Sequence, residues 1–338
     1  MGVTAEKFDP ARASAAEVRA YHEVTLGRYA DDRPLWTPPT LEEIEFRLRT
    51  PFQGLGPTHH WAARLDGELV AFAGVNYADW EDLALAEVVV HPRARRRGIG
   101  TALVRALLPD LEARGRTQVE GWQVTRGGAG AGWLAGLGFH TFHSMIVQKL
   151  TLTEVDRGLW DVPVPPGHRL ERWISRVPED LLESYAAARN AIQDAPVGDQ
   201  HVSMPTWTST EVRAAEEDYL ARGAEQRVVV AVREADGAVV GLTELELHDE
   251  RPHRGFQRDT TVLPAHRGLG LGRCVKAHML RWLAADRPRL TEIVTGTGSG
   301  NVHMARINHS IGFTTISDIN SVRASVADLR AKTAGQRA

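Results

Sequence analysis

The apolar positions follow two periods in turn, near two and near 3.6, so the chain reads as strands and helices in succession. Val18, Tyr21, His22 and Leu26 form a helical stripe over residues 15–29. Arg33-Pro34 and Pro38-Pro39 then break the chain, and residues 41–48 predict a second helix with Glu at its start. Residues 60–65 and 68–75 are strand-like runs on either side of Asp66-Gly67, the turn chemistry of a two-residue hairpin. A strand over 85–90 follows. Next come a helix over 101–114 with Leu103, Leu107 and Leu111 on one face, a strand over 118–124, a short helix over 131–137 and a strand over 141–150.

The programme then repeats. Helices are predicted over 179–192 and 210–222, paired strands over 227–232 and 238–247, and a strand over 255–263. A helix over 272–285, a strand over 293–295, a helix over 302–311 and final strands from 314 complete the second copy. Asp66-Gly67 is answered by Asp236-Gly237, and Leu137-Gly138-Phe139 by Ile311-Gly312-Phe313. Pro92, Arg95, Gly98 and Gly100 each stand 172 residues before Pro264, Arg267, Gly270 and Gly272. A period this long means duplicated domains. The expected division is a first domain over 1–152, a proline-rich linker over 153–167 and a second domain over 168–330. Each domain reads as α+β, with a mixed sheet and helices on both faces.

The two glycine stretches carry the clearest chemistry. In each, a β-branched strand ends at a proline-containing turn, and glycines open a helix. The segments are Val90, Arg95, Arg96, Arg97, Gly98, Ile99, Gly100 and Thr101, and Val262, Leu263, Arg267, Gly268, Leu269, Gly270, Leu271, Gly272 and Arg273. Unobstructed backbone N–H groups at a helix N-terminus bind phosphate or pyrophosphate. A dinucleotide fingerprint needs a third glycine where Leu103 and Arg273 stand, and an ATPase phosphate loop needs Gly-Lys-Ser/Thr. Neither copy qualifies.

Arg-x-x-Gly-x-Gly after a strand, followed some forty residues later by Leu/Ile-Gly-Phe, resembles the GNAT-type N-acetyltransferases. The pattern occurs twice and covers nearly the whole chain. The second half is similar to the tandem, mycothiol synthase-like acetyltransferases of actinobacteria. The likeness rests on Asp194-Ala195-Pro196, Gln257, Asp259-Thr260, His266-Arg267-Gly268, and Asn301, Met304, Ile307 and Asn308. The resemblance implies that the loops bind the pyrophosphate of acetyl-coenzyme A. It also implies that the strand residues before each loop hold the pantetheine by backbone groups.

Acetyl transfer to an amine requires a base for the amine and stabilisation of the oxyanion and the departing thiolate. Glu87 and Asp259 each stand eight residues before a loop arginine and form a matched pair of candidate bases. Glu244 and Glu246 alternate with Leu245 and Leu247, so both point to one face as further candidates. The reading of all four as solvated or arginine-paired carboxylates stands beside this one. Family members often carry a tyrosine acid four residues before the glycine of Leu-Gly-Phe. Here Leu134 and Asn308 occupy that place, so the acid is either solvent or another residue, with Tyr185, Tyr219 and His303 as candidates. Asn301 and Asn308 are expected either to bind coenzyme or to serve the helix structurally. The first copy lacks these polar groups, so catalysis is expected in the second domain.

At 338 residues with a net charge of −3, the chain gives no electrostatic reason to expect nucleic acid. The arginine cluster 93–97 on the first loop is read as attracting coenzyme phosphates. Cys274, the sole cysteine, excludes an intramolecular disulfide and a cysteine metal cluster. A lowered thiol pKa at the helix start is weighed against simple packing. No apolar run spans a membrane, and residues 1–7 lack a secretory core, so a cytoplasmic monomer or homodimer is expected. The expected acceptor is a small primary amine, with Trp160, Trp173 and Trp207 as possible pocket walls. Protein or peptide N-acetylation and a non-catalytic coenzyme-binding scaffold are the alternatives.

Overall fold

A computed structural model of the protein describes residues 2–50, 55–77, 82–194 and 206–334. The elements are, in order, β1 (Val3–Phe8), α1 (Ala15–Asp32), α2 (Leu41–Arg49), β2 (Thr58–Leu65), β3 (Glu68–Asn76), β4 (Leu83–Val90), α3 (Ile99–Ala113), β5 (Gln118–Thr125), α4 (Ala129–Gly136) and β6 (His140–Thr151). They continue as β7 (His168–Ile174), α5 (Leu182–Arg189), α6 (Ser209–Ala221), β8 (Ala224–Arg233), β9 (Val239–His248), β10 (Arg254–Val262), α7 (Leu271–Asp286), β11 (Glu292–Gly298), α8 (Val302–Ser310), β12 (Thr314–Ser325) and α9 (Val326–Ala334). The strands β1 and β7 and the helix α9 were not legible in the hydrophobic pattern. The helix expected over 179–192 is shorter, and a 3₁₀ segment (Asn190–Asp194) continues it.

The chain forms two compact units, Met1–Ser144 with Ser317–Ala338, and Met145–Ile316. They are not the contiguous segments expected from the repeat. The reason lies in two long strands. Residues 145–151 of β6 pair antiparallel with β11 in the second unit, and residues 319–325 of β12 pair antiparallel with β5 in the first. Each unit's wedge strand thus takes its outer partner from beyond the contiguous repeat. A strand's alternation fixes its faces but not its partner. The segment read as a linker belongs to the second unit, where Trp160 is buried and donates its Nε1–H to the Ile311 carbonyl at 3.0 Å.

Within the first unit the strands run in the order β1, β2, β3, β4, β5, β12; within the second, β6, β11, β10, β9, β8, β7. All neighbours pair antiparallel except β4 with β5 and β10 with β11, which are parallel and joined through α3 and α7. Each unit has a core on either face of its sheet. In the first, α3 buries Leu103, Leu107 and Leu111 on one face, while Tyr21, Val24, Ile44 and Phe72 pack on the other. In the second, α7 buries Val275, Met279 and Leu283 on one face. Tyr185, Val212, Val228 and Val230 fill the other. The alternation of β8, with Val228, Val230 and Val232 on one side and Val229 and Ala231 on the other, makes both cores possible.

Helix starts differ in kind. Ser14, Thr40 and Thr208 begin α1, α2 and α6 with complete capping boxes to Glu17, Glu43 and Glu211, each a device worth about 1 kcal/mol. In contrast, α3 and α7 begin at Gly98 and Gly270, with no side-chain cap.

Candidate functional site

Each parallel strand pair is joined only at its start. Among the described residues, β4 meets β5 at positions 83–85, and β10 meets β11 at 254–256. Beyond those points the strands splay, leaving one edge of 86–90 and of 257–262 without a strand partner. The glycine loop closes the wide end of each wedge.

The two loops share a backbone. Gly98 and Gly270 are left-handed, with φ of 75° and 83°. Two residues earlier, Arg96 and Gly268 are left-handed as well, with φ of 63° and 80°. The first intrahelical bonds start at Ala102 and Cys274, whose N–H groups donate to the Gly98 and Gly270 carbonyls. The earlier N–H groups of α7, from Leu271 to Arg273, therefore face the loop mouth. The third glycine serves packing. A Cβ on Gly100 would lie 3.1 Å from the Trp133 ring, and one on Gly272 would lie 3.5 Å from Ile307.

The loop arginines shape the loops. Arg95 donates from Nε to the Val90 carbonyl at 3.2 Å, pairs with Asp32 at 2.7 Å and also with Asp31. Arg267 repeats this, donating to the Val262 carbonyl at 3.0 Å and pairing with Asp194 at 2.6 Å. Asp194 is thus given a role, while Ala195 and Pro196 lie outside the described residues. Arg96, Arg97, Leu269 and Arg273 stay exposed, and Arg273 reaches the Leu159 carbonyl at 3.3 Å. Leu263 carries the chain into the loop, its N–H donating to the Val240 carbonyl. Ile99 and Thr101 are buried at the start of α3.

In the first unit the wedge opens into a cavity of about 480 Å³. It runs from Gly98 and Gly100 past Val88 to Glu87, with Trp122, Trp133 and Leu134 as walls. Glu87 lies on a regular ladder opposite Gly74 and pairs with Arg28.

The matching strand of the second unit is not regular. Gln257 pairs with Leu245 and Thr260 with Thr243, so Arg258 and Asp259 together oppose the single residue Glu244. This is a β-bulge, which leaves ladder groups unpaired and re-aims a side chain. The Gln257 amide staples it, donating from Nε2 to the Glu244 carbonyl at 2.6 Å, to Thr243 at 2.9 Å and to the Arg258 carbonyl at 3.3 Å. Asp259 is half-buried at the bulge, and its carboxylate makes no hydrogen bond or ion pair with the described residues.

The other carboxylates expected as bases are engaged. Glu244 is 1 % exposed, accepts the Tyr185 hydroxyl at 2.5 Å and pairs with Arg189 at 3.0 Å. Burial lifts its carboxyl above the ordinary range; Arg189 pulls against this, and Asp259 pushes with it. Arg189 in turn stacks on Trp207 at 3.4 Å. Glu246 is buried among His248 at 2.5 Å, Arg258 at 2.8 Å and Arg222 at 3.4 Å. Burial works to raise its carboxyl, but those partners hold it below the ordinary range. Both acids do share one face, yet they serve that face as ion pairs.

Burial pushes the Tyr185 hydroxyl far up, and the adjacent Glu244 adds to it, so the proton on Tyr185 is committed. Asn301 caps α8, its Oδ1 accepting from the Met304 N–H at 3.1 Å. Asn308 is buried; its amide donates to Gln148 Oε1 at 2.9 Å, and its own Oδ1 has no partner. Burial raises the Cys274 thiol, which favours the packing reading over a reactive one. Trp160 and Trp173 lie in cores of the second unit. Two features escaped sequence reasoning: the bulge, which has no residue signature, and Lys276, a lone cation in an otherwise apolar helical stripe. The second could have been noticed.

The acetyltransferase (GNAT) family model matches residues 26–133 and again 189–313. The chain is 29 % identical over 241 residues to a mycothiol acetyltransferase of Mycolicibacterium paratuberculosis, covering 69 % of this chain and 71 % of that one. It is 30 % identical over 238 residues to the mycothiol acetyltransferase of Nocardia farcinica, covering 70 % and 72 %. Among solved structures it is similar to a tandem GNAT protein from the clavulanic acid biosynthesis pathway. There the TM-score is 0.72 at 23 % identity, over 96 % of this chain and 99 % of that one. A GCN5-related N-acetyltransferase from Sphaerobacter thermophilus aligns with a TM-score of 0.67 at 18 % identity, over 96 % of both chains. At such identities these two structures speak for the fold.

Proposed function

The chain belongs to the acetyltransferase (GNAT) family, and from that premise we propose that it moves acetyl from acetyl-coenzyme A to a primary amine of a small molecule, with the chemistry in the second unit. The bulge that presents Asp259 carries this reading. It combines an unpaired carboxylate with backbone groups released from the ladder, on the strand edge that leads from the glycine loop. The first unit has the loop and the edge but a regular strand.

In this reading the first turn of α7 holds the pyrophosphate, and the open edge of β10 takes the pantetheine as an added strand. A backbone N–H at the bulge polarises the thioester carbonyl. Asp259 removes the amine's proton, directly or through water, which is worth roughly 10²–10⁴ in rate. Glu244, Arg189 and Tyr185 hold the bulge's opposite wall. Mycothiol acetyltransferases, by their name, serve a small acceptor, which supports a small-molecule amine here. The cavity of the first unit supports retention of a second coenzyme there.

Thiol release from acetyl-coenzyme A, measured against a panel of small amines and of peptides, tests the activity. Turnover with small amines is expected. Turnover with peptides alone would replace the acceptor class, and none with either would leave a binding protein. Calorimetry on Gly98→Glu and Gly270→Glu counts the sites: two coenzymes in the wild type and one in each variant are expected.

A further inference from the structure

Lys276 is the one buried lysine among the described residues, 2 % exposed on α7, and makes no hydrogen bond or ion pair with them. Its ammonium has only the Phe313 ring, 5.5 Å from the centroid. Burying a cation without a partner is costly, and nothing in the packing of α7 requires a polar group there.

The internal repeat shows where this side chain points. Lys276 stands in the place of Val104, Asn308 in that of Leu134, and Phe313 in that of Phe139. In the first unit Val104, Leu134 and Phe139 all line the cavity below the glycine loop. The second unit therefore sets an amine and an amide where the first has two aliphatic walls. Asn308 Oδ1 is buried without a partner, and the Lys276 ammonium has the Phe313 ring alone. Asn308 is pinned by a chain of contacts: His309 Nδ1 at 3.0 Å from the Phe313 carbonyl, His309 Nε2 at 3.2 Å from Gln148 Nε2, and Gln148 Oε1 accepting from Asn308 Nδ2. That network turns Asn308 Oδ1 away from its neighbours.

Position along the cleft separates the phosphate end from the reacting end. Gly272, on the first turn of α7, faces Val262 and Ile307. Lys276 lies four residues on, the same face one turn deeper, about 6 Å along the axis. Because β10 and β11 are parallel, the helix joining them runs back along β10. One turn from Val262 is then the level of Thr260, at the bulge. An amine at that depth meets the sulfur end of a bound thioester.

We infer that Lys276 donates the proton to the departing thiolate in the second cleft, doing the work that the absent tyrosine does elsewhere in the family; the inference rests on the second unit being the catalytic one. The acceptor nitrogen attacks the thioester carbon, the C–N bond forms and the C–S bond breaks. The sulfur takes a proton from the Lys276 ammonium, Asp259 takes the one lost by the amine, and solvent reprotonates the lysine. Burial brings the ammonium down to about 7, with no charge from α7, α8, β10 or β12 contributing. That makes it acidic enough to protonate a thiolate of ordinary basicity.

Lys276→Met keeps the length and removes the charge. The expected result is a loss of about 10²-fold in kcat, with KM for acetyl-coenzyme A little changed. The fall in kcat as pH rises through about 7 should vanish with the ammonium. A second readout needs neither turnover nor the variant's activity. Carbon-13 NMR of the lysine side chains should show one resonance, absent in Lys276→Met, that titrates at about 7 and shifts when free coenzyme A binds. A Lys276 resonance that does not respond to coenzyme A overturns the proposal. Full kcat in Lys276→Met beside an inactive Gly270→Glu overturns the lysine and keeps the second unit catalytic. Turnover surviving in Gly270→Glu overturns both.

Discussion

The two glycine loops have the same backbone, down to left-handed residues at 96 and 98 in one and at 268 and 270 in the other. The wedges they close differ in two ways. The strand leading to the first loop is a regular ladder, whereas its counterpart bulges and releases Asp259. Val104 and Leu134 line the cavity of the first wedge, whereas the repeat puts the buried Lys276 and Asn308 at the equivalent positions of the second. Binding a phosphate needs only backbone N–H groups at a helix start, and both units keep those. Moving protons needs specific side chains at the reacting end, and in the function proposed above these belong to the second unit. On that proposal, a duplicated fold keeps its glycine loop in both copies and its proton-transfer groups in one.

The largest effect expected from that difference is on turnover. Gly270→Glu places a side chain at a left-handed position and a negative charge at the phosphate site, and should lower kcat/KM by 10³-fold or more in a thiol-release assay. Asp259→Asn should lower kcat by about 10²–10³-fold with the fold intact by circular dichroism. A matching loss in Glu87→Gln would erase the distinction between the strands.

Glu244→Ala tests whether that carboxylate is structural. Removing it strands Arg189, so unfolding in urea should show a loss of about 3–5 kcal/mol. A stable but inactive variant would return Glu244 to the list of bases.

Lys276→Met should also raise stability, and the pH dependence has a definite sign. The lysine titrates at about 7 in the folded chain and at about 10.4 when unfolded. Between these values the unfolded state binds more protons, so wild-type stability rises with pH across that window. The variant's advantage is then fullest below pH 7, at a few kcal/mol, and shrinks toward pH 10. Urea midpoints at pH 6 and pH 9.5 would measure it, and an advantage that did not shrink would mean that the lysine is not buried as an unpaired charge.

The smallest effect concerns the loops themselves. Arg96 holds the left-handed conformation that Gly268 holds in the other copy. Arg96→Gly should stabilise by about 1 kcal/mol or less, and Gly268→Arg should cost about as much, read as opposite shifts in Tm.

Much of the site was legible before any fold was known. The repeat, the rejection of other nucleotide loops and the pairing of Gly98 with Gly270 follow from spacing, because a left-handed helix start and a close helix approach admit few residues. The acids on β9 were correctly placed on one face, because strand alternation fixes that. Their use was not legible. Glu244 and Glu246 are tied up by Arg189, Tyr185, Arg258 and Arg222, which lie up to 59 residues away in the chain. Asn301 was open between ligand and helix residue, and the structure gives it a cap bond to the Met304 N–H.

By itself, then, the sequence determined most of the elements, the duplication and the two glycine loops, since these follow from local spacing. Tertiary structure decided which strands partner which, so that β6 completes the sheet of the second unit and β12 that of the first. It also decided which carboxylate stays unpaired and what lines the cavity of the first unit. Pairing and burial arise between distant segments, and no local periodicity encodes them.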